Sequence, residues 1–159
     1  MSKKPEKTNV MRILDRKGIR YNSYDYRFTA ALSGTEVAAA LEKDPACTFK
    51  TLVTQGASKA YYVFMVPVAD ELDLKKAARA AGEKSIAMIK SKELLPLTGY
   101  VHGGCSPIGM KKQFCTFIHL TAADVEQIVF SAGKIGYQVE LPLTELQKVV
   151  PVTPADIVV

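Results

Sequence analysis

A chain of 159 residues, 48% hydrophobic and 23% charged, is long enough for one buried core and leaves little room for a second domain. Its three cysteines, Cys47, Cys105 and Cys115, are odd in number and lack C-x-x-C spacing, which argues against a disulfide framework or a zinc knuckle and for a reducing, intracellular setting. No stretch approaches the roughly 18 apolar residues of a membrane span, the polar start Met1 to Lys7 reads against a secretory signal, and the formal charge of +5 suits a polyanion such as RNA as readily as plain solubility.

The first seven residues read as a flexible tail ahead of a single domain over 8–159. From Thr8 to Lys17 the apolar positions Val10, Met11, Ile13 and Leu14 share one helical stripe, and Gly18 follows as a stop. Tyr21 to Tyr26 alternates as a strand does. Ser33 and Glu36 have capping-box spacing, opening a helix that runs through Val37 to Leu41. Thr48 to Gln55 and Ala60 to Pro67 read as a hairpin around Gly56-Ala-Ser-Lys59, and the second strand, apolar on both faces, calls for cover on both sides.

A helix from Asp73 to Ala81 carries Leu74, Ala77, Ala78 and Ala81 inward and Lys75, Lys76 and Arg79 outward, with Gly82 ending it. A short strand at Ser85 to Met88, a short helix at Ser91 to Leu95 and a glycine-rich loop from Val101 to Met110 come next. Gln113 to Ile118 reads as a strand, Thr121 to Asp124 as a capped turn, Ile128 to Ser131 and Tyr137 to Leu141 as strands, and Leu143 to Val149 as a closing helix. Strands outnumber helices in irregular order, which predicts an α+β class rather than a doubly wound sheet.

Three places are candidates for chemistry. In the strand Phe49-Lys-Thr-Leu-Val-Thr54, alternation puts Lys50, Leu52 and Thr54 on one face. If that face is inward, an ammonium enters a protein-lined space and calls for an anionic or carbonyl partner; on an exposed edge it is an ordinary solvated lysine. The loop Gly103-Gly-Cys-Ser-Pro-Ile-Gly109, before Lys111 and Lys112, lets backbone amides approach a ligand, and it lacks Walker A spacing. Ser131-Ala-Gly-Lys-Ile-Gly136 is a second such turn. Either is equally an ordinary tight turn. Cys105 with His102 or His119 makes a Cys/His nucleophile pair conceivable, and Tyr21, Tyr24 and Tyr26 suit core packing more than base stacking. The Lys75, Lys76, Arg79 face reads as a solvated helix surface.

Taken in order, Phe49-Lys-Thr-Leu-Val53, Pro67-Val-Ala with Glu71-Leu-Asp-Leu-Lys-Lys76, Thr98-Gly-Tyr with Gly103 to Gly109 and Lys111-Lys112, and Ser131-Ala-Gly-Lys with Val139-Glu-Leu141 resemble the YbaK/EbsC family of prolyl-tRNA-synthetase-associated editing proteins. The likeness runs from Asn9 to Val150. It implies a curved, barrel-like mixed sheet with surrounding helices and a deacylase for mischarged Cys-tRNA(Pro), with Cys-tRNA(Cys) as a second substrate. Its partners would be the acceptor end of tRNA and prolyl-tRNA synthetase, in the cytoplasm and without a cofactor.

The family's essential lysine falls on Lys50, and a tyrosine near the first strand on Tyr24. Gly103, Gly104, Ser106, Pro107 and Gly109 form one pocket wall; Ser131 and Gly133 stand in the late turn. Gln138 occupies a position where similar proteins often carry aspartate. The family's proposed chemistry uses the substrate's own thiol. A hydrolytic deacylase for Ala-tRNA(Pro) or another small aminoacyl-tRNA, and a non-catalytic module binding tRNA or synthetase, are the alternatives.

Overall fold

The computed structural model describes residues 7–159, so the expected tail, apart from Lys7, lies outside the described residues. The chain opens with α1 (Asn9–Arg16), where the Thr8 hydroxyl accepts from the Met11 amide and Val10, Met11 and Leu14 turn inward. Next come β1 (Asn22–Asp25) and α2 (Gly34–Ala40). At the start of α2, Ser33 Oγ accepts from Glu36 N at 3.2 Å and the Glu36 carboxylate accepts from Ser33 N at 3.0 Å, so the box read from spacing closes in both directions.

A 3-10 turn (Pro45–Cys47) leads into the hairpin β2 (Phe49–Gly56) and β3 (Tyr61–Pro67), paired in the register Lys50 to Val66 and Gln55 to Tyr61. Then follow α3 (Leu74–Ala81), β4 (Ile86–Met88), α4 (Ser91–Thr98) and β5 (Cys115–His119). The remaining elements are β6 (Ile128–Ser131), β7 (Tyr137–Leu141), α5 (Leu143–Leu146) and β8 (Val152–Ala155).

The strands form two sheets, one of order β4-β2-β3-β5-β8 and one of order β1-β7-β6. The larger sheet is mixed: β5 runs parallel to both β3 and β8, and the hairpin and β4 are antiparallel. An isolated parallel bridge between Thr48 and Val129 joins the sheets. The domain is α+β, and the expected single curved sheet is built as two sheets meeting at that bridge.

The main core lies between the sheets and α1 and contains Val10, Leu14, Phe49, Met65, Ile118, Phe130, Val139 and Leu141. A smaller core under α3 contains Phe64, Val66, Ala77, Ala78 and Phe117. β3 supplies Val63 and Met65 to the first and Phe64 and Val66 to the second, which explains why it is apolar on both faces.

The sequence reading missed β8 and shortened α4. Val152-Thr-Pro-Ala155 contains a proline and no alternation, yet it pairs parallel to β5 at the sheet edge, where a residue without an N–H is tolerated. Pro96 reads as a stop, but α4 continues to Thr98. The position is exposed, so the carbonyl that Pro96 leaves unbonded faces water, and the Thr98 hydroxyl donates to Leu94 O to close the last turn. The closing helix ends at Leu146 rather than Val149.

The chain end is zipped onto the approach to α3: Asp73 N donates to Ile157 O, Val159 N to Glu71 O, and Lys76 Nζ to Asp156 and to Val158 O. Lys76 is therefore a brace rather than a free basic group. No helix among the described residues is long and apolar enough to cross a membrane.

Candidate active site

β2 pairs with β3 along its length but with β4 only from Thr54 to Gly56. Among the described residues its first half therefore offers an edge with no strand partner, the nearest pairing being the bridge at Thr48 just before it. Val68 N donates to Thr48 O and Gly56 N to Ala60 O, so the even residues of β2 bond to β3. Antiparallel alternation then turns the N–H and C=O of Thr51 away from β3. A cavity of about 370 Å³ opens there, walled by Phe49 to Leu52, Tyr26, the start of α2, Leu94, the loop at His102 to Cys105, and Ser131 and Gln138. Among the described residues the Thr51 hydroxyl is the one buried side-chain polar atom without a hydrogen-bond partner. Sequence reading passed over Thr51 because a threonine in a strand signals only β propensity.

Lys50 lines this cavity. Its side chain is 30% exposed, and its ammonium stands 3.9 Å from the carboxylate of Glu71, which is 82% exposed. An ion pair that long and that wet contributes little, so the Lys50 charge remains open to an anionic or carbonyl ligand.

Opposite it, Ser131, Gln138 and Tyr24 form one row across β6, β7 and β1, with their side chains on a common face. Ser131 and Gln138 reach the cavity; Tyr24 does not. The Tyr24 hydroxyl donates to Glu140 Oε1 at 2.7 Å, and its ring lies under the Lys43 ammonium at 4.6 Å. The tyrosine in the cavity wall is Tyr26, which sequence reading placed in the core.

Of the glycine loop, only its beginning reaches the cavity, through His102, Gly103 and Cys105. Gly104 N donates to Val101 O, and its Cα packs against the backbone at Ile135. Ser106 is fully buried and its hydroxyl accepts from Ile108 N, and Pro107 is buried beside it. Gly109, at φ +81°, leaves the space that the Tyr100 hydroxyl occupies. Gly133 N donates to Ser131 Oγ at 3.1 Å, so this amide orients the serine instead of facing a ligand. The structure thus collects Lys50, Gly103 and Ser131 around one space and places Tyr24, Gly104, Ser106, Pro107, Gly109 and Gly133 behind it.

Gly133 is irreplaceable on steric grounds: φ is +89°, and a Cβ would stand 2.9 Å from Val10 Cγ2 and 3.0 Å from Tyr100. Gly133→Ala is expected to lower stability by roughly 1–3 kcal/mol, read as a fall in the urea midpoint with an unchanged denaturant slope.

Among the described residues no hydrogen bond joins Cys105 to His102 or His119. Burial pushes the Cys105 thiol up to about 12, so it stays protonated at neutral pH. His102 shares its cavity, while His119 sits at the end of β5 and accepts from Ile157 N at 3.3 Å. No three His, Cys, Asp or Glu side chains among the described residues converge as metal ligands. A larger, shallower depression of about 710 Å³ between α1 and β1 collects none of the expected site residues, and its Lys7–Asp15 pair is exposed.

Behind the Ser131 row lies a half-buried charge cluster. Glu140 accepts from Asn22 Nδ2 at 2.9 Å and from Tyr24, and pairs with Lys43 Nζ at 3.1 Å. Burial pushes its carboxyl up, but the bonds from Asn22, Tyr24 and Lys43 together outweigh that, and it titrates below its ordinary value. Lys43 follows α2, so the pair ties the helix carrying the cavity residues Gly34 and Val37 to β7.

Residues 30–149 match the model of the aminoacyl-tRNA editing domain. Over 140 residues the chain is 44% identical to a protein of Enterococcus faecalis (strain ATCC 700802 / V583) provisionally named Cys-tRNA(Pro)/Cys-tRNA(Cys) deacylase EbsC, a match covering 87% of this chain and 85% of that one. A solved structure provisionally described as a trans-editing enzyme for prolyl tRNA synthetase superposes with a TM-score of 0.84 at 22% identity, over 94% of each chain. The hypothetical protein APE2540 superposes with a TM-score of 0.85 at 19% identity, over 94% of this chain and 99% of that one. At those identities the two structures establish likeness of fold.

Proposed function

Because the chain belongs to the aminoacyl-tRNA editing domain family, we propose that it removes cysteine from mischarged Cys-tRNA(Pro), and from Cys-tRNA(Cys), in the cavity beside β2. The observation that carries this reading is the meeting of Lys50, Gly103, Ser131 and Gln138, from separate elements, around one space of about 370 Å³. That is near the small end of ligand pockets and suits a small aminoacyl group with its ribose.

The substrate supplies the nucleophile. The cysteine thiolate attacks its own ester carbonyl carbon, a C–S bond forms, and the C–O bond to the ribose breaks. The proton lost by the thiol is matched by one taken up at the ribose oxygen, and cysteine leaves as a thiolactone. The wall then has to hold a geometry and stabilise developing charge. A protonated Cys105 agrees with this division of labour.

Lys50 binds the carbonyl or phosphate end. The Thr51 N–H and the Gly103 backbone flank the ester. Ser131, whose oxygen already accepts from Gly133 N, keeps its O–H to donate. Gln138 can donate and accept at the substrate's amino group or thiol. A domain of this size reads the acceptor end of tRNA, and prolyl-tRNA synthetase supplies the choice of tRNA, in the cytoplasm where charging takes place.

The test is deacylation of Cys-, Ala- and Ser-tRNA(Pro) side by side. Rapid release of cysteine alone, as thiolactone, is the expected result. Release of alanine at a comparable rate would replace the thiol route with water-dependent hydrolysis, and release of none would make the protein a binding module.

A further inference from the structure

An exposed aromatic ring sits in the segment that joins two stretches of the cavity wall. Phe28 is 78% exposed, an unusual position for a phenylalanine. It belongs to the segment 27–31, which leaves the cavity wall at Tyr26 and re-enters it at Leu32, Ser33 and Gly34. The ring is nonetheless held. The Arg27 guanidinium lies 5.1 Å from its centroid and 5.2 Å from that of Tyr137. That guanidinium is fixed in turn by Asp25, with Nε at 3.0 and 3.1 Å from its two carboxylate oxygens and Nη2 at 2.8 Å. The segment also presses on the β6–β7 turn, where the Cα of Gly136 leaves no space for a side chain beside Arg27. Ile135 of the same turn, 54% exposed, lies against Gly103 and Gly104. Next to the cavity wall, which includes Leu32, the chain thus exposes Phe28 and Ile135, with Arg27 held against Phe28.

We propose that Phe28, braced by Arg27, is a stacking platform for the terminal base of tRNA while the esterified amino acid occupies the cavity. The proposal rests on the editing reading above and adds to it the residue that receives the nucleoside. The chemistry follows from continuity: the amino acid is esterified to the terminal ribose, so whatever emerges from the mouth is that ribose and its base. A ring 78% exposed, with a guanidinium over it, suits a base. Holding the ring through an Asp25-anchored arginine lowers the ordering cost of binding.

The experiment is a binding cycle on the full chain. Affinities are measured for uncharged tRNA(Pro) with and without its terminal adenosine, using wild type, Phe28→Ala and Phe28→Leu. Removing the adenosine, or replacing the ring by Ala or Leu, is expected to weaken binding about tenfold, and both changes together are expected to cost no more than either alone. Phe28→Leu retaining full affinity, additive losses, or wild type binding both tRNAs equally or neither would overturn the proposal. A ring change that leaves tRNA affinity intact would assign this rim to a protein partner instead. Cysteine release by wild type is followed in parallel. Its absence would sink the deacylase reading while the binding cycle still decides the role of Phe28.

Discussion

Lys50→Ala is expected to slow cysteine release about 10²- to 10³-fold, the range seen when one charge-stabilising donor is removed from an active site, with little change in thermal midpoint. The two halves of this expectation have separate causes. Stability is spared because, among the described residues, Lys50 pairs only with a largely exposed Glu71 at 3.9 Å, and pairs of that kind contribute little. Turnover is not spared because, among the described residues, Lys50 is the one lysine or arginine in the cavity wall. Negative charge developing on the ester oxygen finds no second lysine or arginine among the described residues of that wall. Lys50→Arg keeps the charge but changes its shape and reach, and is expected to recover only part of the rate. Single-turnover deacylation beside a thermal melt checks both halves. Near-normal turnover by Lys50→Ala would remove this residue from the mechanism.

Glu140→Ala is expected to lower stability by about 1.5–3 kcal/mol, the range for removing a charged hydrogen-bond partner, because its donors are half-buried or exposed and water recovers part of the loss. It strands Asn22, Tyr24 and Lys43 at once. The pH dependence has a definite sign. The carboxyl titrates below its ordinary value in the folded protein, so its contribution is present in full above the unfolded-state pKa and is lost as pH falls through the folded one. Wild type should lose stability across the acid range at and below the ordinary carboxylate pKa, and Glu140→Gln should flatten that loss. Urea unfolding at neutral and acidic pH checks this, and an unchanged acid slope in Glu140→Gln would assign it to other carboxyls. Since Lys43 ties α2 to β7 through this pair, the same variants should also raise KM for charged tRNA.

Much of the protein was legible before folding, and the reason is range. The capping box of Ser33 and Glu36, the Asp73 start and Gly82 end of α3, and the β2–β3 hairpin rest on contacts between residues a few positions apart, which spacing encodes directly. The mixed α+β class followed from the run of such elements, and the family from motifs spread along the chain.

What the tertiary structure decided involves partners far apart in sequence. Tyr24 lies in β1 and Tyr26 just past its end, two positions on, and alternation cannot choose between them. Glu140, 116 residues away, captures the Tyr24 hydroxyl and leaves Tyr26 in the cavity wall. Gly133 and Gly109 look like amides free to cradle a ligand until Val10 and Tyr100 are seen packed on them. Thr51 stands at a ligand-facing edge only because β4 stops short of it, and Val152 to Ala155 become a strand only because β5 leaves an edge to accept a proline-bearing segment. Local pattern determined which elements form; which of their groups face the cavity was set by long-range competition for hydrogen-bond partners and space.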